Sequence, residues 1–180
     1  MPVMRLQSDL LTLMQHYLDH HATTPLASAV EHAMAPLWRE AFGNPASVEH
    51  ARGLAAADRI DQARTDIARA LGAEAREIVF TSGATEANNM AVLGAARFRK
   101  KHESRDGVVV FAAEHSCVLG AAKALVDEGF RVTVLPITPQ GFADLGALEA
   151  ALDERVALVS LMLANNEVGT IQPMQQVTTL

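Results

Sequence analysis

The chain is poor in the features that would classify it at a glance. Its 180 residues include a single cysteine, Cys117, which excludes an intramolecular disulfide framework and fits a reducing compartment. Aromatic residues make up only 4%, so a core has to be built mainly from Leu, Val, Ile and Ala. No apolar run approaches the roughly 20 residues that cross a bilayer as a helix. The first fifteen residues lack the continuous apolar segment and small-residue cleavage site of a signal peptide. A cytoplasmic protein with no membrane partner is therefore expected. Excess positive charge is missing as well: the net charge is −6, and without a basic stripe direct nucleic-acid binding is not expected. The one cationic cluster, Arg97, Arg99, Lys100 and Lys101, falls where a helix should end and complements its dipole. Neither a Gly-Lys-Ser/Thr triphosphate loop nor the three spaced glycines of a dinucleotide fingerprint occurs.

What is present reads as a soluble globular domain, with 49% hydrophobic and 20% charged residues. Residues 25–42 have helical character, with Pro25 suited to a first turn. A loop with Gly43-Asn44-Pro45 follows, and Ser47 is placed to cap a second helix. That helix runs to about Leu71, with Ile60, Ala63, Ile67, Ala70 and Leu71 forming a stripe expected to be buried. Gly72 is a suitable left-handed stop. Four short apolar runs then appear, at 78–81, 108–112, 131–135 and 156–163, separated by helical segments at 85–101, 117–128 and 144–152. Strands that do not alternate with polar residues suit a sheet covered on both faces. Their alternation with helices predicts an α/β fold with a mostly parallel sheet and right-handed crossovers. The last stretch, 174–180, begins another helical pattern and then stops, as a chain cut short would.

Three clusters could carry chemistry. Thr81-Ser82-Gly83-Ala84-Thr85-Glu86 lies between an apolar run and a helix, where open backbone N–H groups and the helix dipole could bind a phosphate; such turns are also commonly structural. Glu114-His115-Ser116 follows a strand at the sheet edge where parallel α/β folds bind ligands. There His115 could stack on a heterocycle or move protons, or His115 could satisfy a loop and Ser116 cap a helix. Asn165-Asn166-Glu167 could face a ligand or simply form a turn. His20 and His21 beside Asp19 lack further ligands at useful spacing, so no metal site is expected. Cys117 could be activated near a helix N-terminus, but core packing is the commoner role for such a thiol.

Taken together and in order, five stretches resemble the class V aminotransferase family, and within it the cysteine desulfurases of the NifS/IscS type. They are Tyr17-Leu18-Asp19-His20-His21-Ala22-Thr23-Thr24-Pro25, Phe42-Gly43-Asn44-Pro45-Ala46-Ser47, Glu77-Ile78-Val79-Phe80-Thr81-Ser82-Gly83-Ala84-Thr85-Glu86, Glu114-His115, and Asn165-Asn166-Glu167-Val168-Gly169-Thr170. The resemblance implies a fold-type I, pyridoxal-phosphate-dependent transferase: residues 1–16 an extension, and 17–180 the N-terminal segment and first part of the large domain. It implies that Ala84 and Thr85 hold the cofactor phosphate, and that His115 stacks on the pyridine ring and takes part in proton transfer. Asn166 would reach the phenolic-oxygen side of the cofactor, with Ala22 and Thr23 near the substrate. The implied reaction takes sulfur from L-cysteine, giving L-alanine and an enzyme persulfide for iron–sulfur cluster assembly or tRNA thiolation. The implied partners are a second subunit in a homodimer and a sulfur-acceptor protein.

The chain also departs from that pattern. Its only lysines, Lys100, Lys101 and Lys123, are not in the family's Ser-x-His-Lys context, and Cys117 does not match the persulfide cysteine. The expectation is a fragment that is inactive alone and aggregates or dimerises through an unfinished sheet. A selenocysteine lyase, another class V lyase, or a non-catalytic binding or dimerisation module are the alternatives.

Overall fold

Three five-residue strands form a parallel sheet in the order β2-β1-β3: β1 (Gly107–Phe111), β2 (Arg131–Leu135) and β3 (Val156–Ser160). The computed structural model describes residues 17–20 and 22–180, so the extension at 1–16 and His21 lie outside the described residues. The chain divides into two compact units, one ending at Val79 and one beginning at Phe80.

In the second unit, β1 lies between its neighbours and all five of its residues are buried. Side chains alternate across a strand, and here both faces are covered. Val108 and Val110 pack with Val92 and Ala96 of α3 (Ala84–Glu103), and with Val118, Ala121, Ala122 and Leu125 of α4 (Ser116–Asp127). Val109 and Phe111 point the other way, into a cluster with Leu135, Ala143 and Leu148, the last on α5 (Leu145–Ala151). Burial on both faces is why the run carries no polar alternation. β2 has the bounds expected from sequence, whereas β3 ends at Ser160, before residues 161–163 turn away. Along the sheet's amino edge, Arg131 is salt-bridged to Asp106 and Asp153, and Arg155 also reaches Asp106. Burial pushes the Asp106 carboxyl up, but the two guanidinium groups outweigh it and hold it below the usual range.

The expected first strand, 78–81, is not part of the sheet. Ile78 instead donates its N–H to Ala75 O, closing a 3-10 turn at Ala75–Glu77. An apolar run shows that a strand is possible, but a ladder also requires a hydrogen-bonded neighbour, and 78–81 pairs with none of β1, β2 and β3.

The first unit carries α1 (Ser28–Arg39), shorter than expected at both ends, and α2 (Ala51–Leu71). Ser47 does not cap α2; His50 does, its ring nitrogen accepting from Gly53 N–H at 3.1 Å. Loop 43–50 lies so close to α2's first turn that a Cβ on Gly53 would come within 1.8 Å of Ser47 O, and one on Gly43 within 2.1 Å of Arg52 O. Glycine is the residue that allows such approach. Gly72 ends the helix in the left-handed conformation, as expected. The stripe read as buried is not: Ile60, Ile67 and Leu71 are exposed, and Ala68 is the buried residue of that stretch. Periodicity marks an apolar face but does not supply what covers it. The basic cluster behaves as expected in part. Lys100 lies in α3's last turn, yet its ammonium donates to the carbonyls of Glu128 and Gly129 at the end of α4. Arg97 forms a forked pair with the Glu128 carboxylate.

Leu125→Ala, in the fully covered layer between α4 and β1, should cost about 2–5 kcal/mol of stability, as buried leucine truncations do. Val134→Ala, on a half-exposed side chain of edge strand β2, should stay below about 1 kcal/mol. Urea unfolding of the two variants measures the difference, and equal losses would contradict the layer arrangement.

Candidate active site

All three strands run in parallel, so the loops that leave them emerge on one edge of the sheet. Those loops, 112–116 after β1, 136–143 after β2 and 161–172 after β3, enclose a cleft of about 490 Å³. Its lining includes Glu114, His115, Gly141, Asn165 and Asn166. Of the four residues expected at a cofactor, His115 and Asn166 meet here. Ala84 and Thr85 begin α3 and are outside the lining.

His115 is both a cleft residue and the N-cap of α4. Its Nδ1 accepts from the Cys117 N–H at 3.2 Å and lies 3.0 Å from Cys117 Sγ. A backbone N–H can only donate, so Nδ1 must be unprotonated. The neutral ring therefore carries its proton on Nε2, the nitrogen left for the cleft. Cys117 is half-buried against the core, as expected of a packing residue. It also links two helices, since Asn88 of α3 donates to its Sγ at 3.2 Å. A line of contacts Asn88–Cys117–His115 thus runs from one turn inside α3 to the cleft.

Asn165 and Asn166 divide the two roles left open by the sequence. Asn165 forms the turn: its Oδ1 accepts from the N–H groups of Glu167 and Val168, and its amide donates to Ala113 O across the cleft floor. Asn166 is exposed at the tip of that turn and lines the cleft. Sequence reasoning missed loop 136–143 and its clasp, Gln172. This buried side chain donates to Gly141 O and accepts from Ala143 N–H, both at 2.9 Å. Gly141, at φ 84°, sits where an added Cβ would meet Thr170 Oγ1 at 2.7 Å. The Pro-Gln-Gly turn at 139–141 was the available signal.

In the turn before α3, the N–H and Oγ–H of Ser82 both reach the Glu86 carboxylate, at 2.6 and 2.7 Å. These bonds, the backbone one foremost, hold Glu86 below the usual carboxylate range. The first hydrogen bond into the helix is from Ala87 N–H to Gly83 O. The N–H groups of Ala84, Thr85 and Glu86 are thus left without intrahelical acceptors. Among the described residues no cluster of His, Cys, Asp and Glu could hold a metal. No described helix is long and apolar enough to cross a membrane.

A parallel α/β sheet with a ligand cleft at its carboxyl edge defines the class of protein. The particular family follows from comparison. Residues 16–180 match the model of class V aminotransferases, and the chain belongs to that family. It is 46% identical over 164 residues to a cysteine desulfurase IscS of Rickettsia bellii, and 43% identical to the one of Rickettsia felis. In each case 89% of this chain and 39% of the relative are covered, so the chain spans well under half the length of these curated relatives. Among solved structures, a NifS-like protein superposes with a TM-score of 0.83 at 39% identity, over 91% of this chain and 44% of that one. SspA in complex with cysteine gives 0.81 at 37%, covering 91% and 46%.

The family depends on pyridoxal phosphate, and the residues here fit it. Open N–H donors at the start of a 20-residue helix suit a phosphate, and an imidazole in a cleft suits a planar heterocycle. No lysine lines the cleft.

Two outcomes are expected. Long-range ¹H–¹⁵N spectra of labelled histidine should show neutral His115 with its proton on Nε2; a proton on Nδ1 would break the cap as described. Glu86, with its pKa lowered by folding, contributes stability that is present above the unfolded-state pKa and lost as pH falls through the folded-state value. Glu86→Gln should therefore destabilise at neutral pH and have little effect in strong acid. A stability loss of the same size at both pH values would contradict the role given to the charge.

Proposed function

We propose that this chain forms part of a pyridoxal-phosphate-dependent cysteine desulfurase acting on L-cysteine. The observation that supports this most is the joint presence of His115 and Asn166 in one cleft at the sheet's carboxyl edge, in a chain similar to cysteine desulfurases over nine-tenths of its length. The bound cofactor would supply an electron sink for charge developing on the substrate's α-carbon. Ala84 and Thr85, through the helix N-terminus, would hold its phosphate. His115, fixed in its Nε2–H form by the cap, would present a proton donor to the cleft and cover the ring. Asn166 would donate from the opposite loop to the phenolic-oxygen side and the substrate carboxylate. A cysteine thiolate of the full-length enzyme would take the substrate's sulfur, its own S–H becoming a persulfide S–SH as the substrate's C–S bond breaks, and L-alanine would be the other product.

The reading extends to a homodimer, a sulfur-acceptor protein of the scaffold or tRNA-thiolation type, and a cytoplasmic location. Exposed apolar side chains such as Trp38, Phe42 and Leu71 are compatible with a protein partner.

The test is to purify the full-length gene product with pyridoxal phosphate and measure alanine and sulfide from L-cysteine under reducing conditions. Alanine and sulfide in equal amounts, and a loss of about 10²–10⁴ in kcat for His115→Ala, are expected. Turnover of L-selenocysteine with none of L-cysteine would point to a selenocysteine lyase, and turnover of neither would remove the enzyme reading.

A further inference from the structure

The reading above gives no role to Glu114, although it is one of only two buried polar or charged side chains among the described residues. It stands directly before His115, in the turn that closes with Glu114 N–H on Phe111 O at 3.0 Å. Its Oε1 accepts from Ser160 Oγ at 2.9 Å, and Ser160 is the last residue of β3, in register with Val110 of β1. This part-buried bond joins the segment that carries His115 to the strand that feeds the Asn165-Asn166 loop. A second tie between these loops, Asn165 Nδ2 to Ala113 O, is longer at 3.2 Å and equally half-buried.

We propose that Glu114 is a positioning residue that clasps the β1 and β3 exit loops together through Ser160 and so sets His115 and Asn166 opposite each other across the cleft. A leucine or methionine would fill a similar volume without the cost of desolvating a carboxylate. Burial indeed pushes the Glu114 carboxyl above the usual range, while Ser160 and the nearby N–H groups of Met162 and His115 oppose that shift. The geometry shows what that burial accompanies: a cross-loop bond where both loops leave the sheet. The clasp acts through His115 and Asn166 and touches no reacting atom. The catalytic part of this inference rests on the desulfurase reading; the clasp itself does not.

The test uses the full-length gene product with Glu114→Ala, Glu114→Gln and Ser160→Ala. Two readouts are followed: amide exchange in segments 112–116 and 161–169, and kcat, KM and pyridoxal-phosphate affinity at a temperature where every variant is folded. Glu114→Ala should raise exchange in both loops together, by at least tenfold, and lower kcat at least tenfold more than it changes KM. Glu114→Gln keeps an acceptor at the same reach and should recover most of both effects. Ser160→Ala, a milder change that should fold normally, should shift exchange in the same two loops by a smaller factor. The double variant Glu114→Ala/Ser160→Ala should be no worse than Glu114→Ala alone, because both remove one bond.

Exchange that rises in the 112–116 segment alone, or not at all, would overturn the clasp. Loop exchange that rises while kcat and cofactor affinity stay within twofold of the parent would show the bond to be purely structural, which also overturns the positioning role. If the unsubstituted protein has no desulfurase activity, the functional reading fails while the exchange data still decide the clasp.

Discussion

The burial of β1 on both faces is the constraint from which the rest follows. A five-residue strand with Val108 and Val110 in one apolar layer and Val109 and Phe111 in another cannot slide by one residue without exchanging the two layers. Register is fixed by packing, and with it the point where the chain leaves the sheet. Because β2 and β3 run parallel to β1, their exits fall on the same edge. The opposite edge carries the Arg155–Asp106–Arg131–Asp153 ion network. Chemistry and charge pairing are thus separated to the two ends of one small sheet, leaving the carboxyl edge for polar groups that face a ligand.

Regular structure ends at that edge, and side chains take over. Three loops are held by three polar residues, Glu114 to Ser160, Asn165 to Ala113, and Gln172 to Gly141 and Ala143. Each bond contributes on the order of 1 kcal/mol net, but leaving a buried partner unsatisfied costs more, about 1–3 kcal/mol. That asymmetry makes the arrangement specific as well as stable. An alternative loop conformation would strand a carboxylate or an amide away from water, so the loops have few other places to go. His115 and Asn166 are left with little to do structurally beyond the cap on α4, and their remaining polar atoms are free for the cleft.

What could be read in the sequence, and what could not, divides along the same line. Continuous apolar runs located β1, β2 and the start of β3 because two-sided burial leaves a direct mark in composition. Helix ends were legible where one residue type fits one geometry, as at Gly72. They were misread where two caps competed: Ser47 is the better capper in general, but His50 is the residue whose ring reaches Gly53. The stretch 78–81 and the stripe on α2 were misread for a common reason, since local pattern reports apolarity while burial depends on a neighbour. At the site, the motifs marked His115 and Asn166, whereas the clasps were invisible. Glu114 and Ser160 are 46 residues apart and Gln172 is 31 from Gly141, and no spacing rule connects them.

The turn before α3 shows how a site can accept an anion while already holding one. Glu86 places its carboxylate over Ser82, taking the N–H and hydroxyl there, and so complements the helix dipole in the absence of a ligand. It does not take the N–H groups of Ala84 and Thr85. A phosphate arriving at those donors gains the open hydrogen bonds but meets repulsion from a carboxylate in the same turn. Attraction at this turn is therefore weaker than the dipole alone would give, and a free anion has limited reason to stay. A phosphate carried by a ligand whose ring is held elsewhere does not face that limit, because its position is already fixed by the other contacts. The Asn88–Cys117–His115 line of contacts ties the start of α3 to the imidazole at the cleft. On the proposed reading, the turn would therefore favour a phosphate that arrives attached to a planar ring.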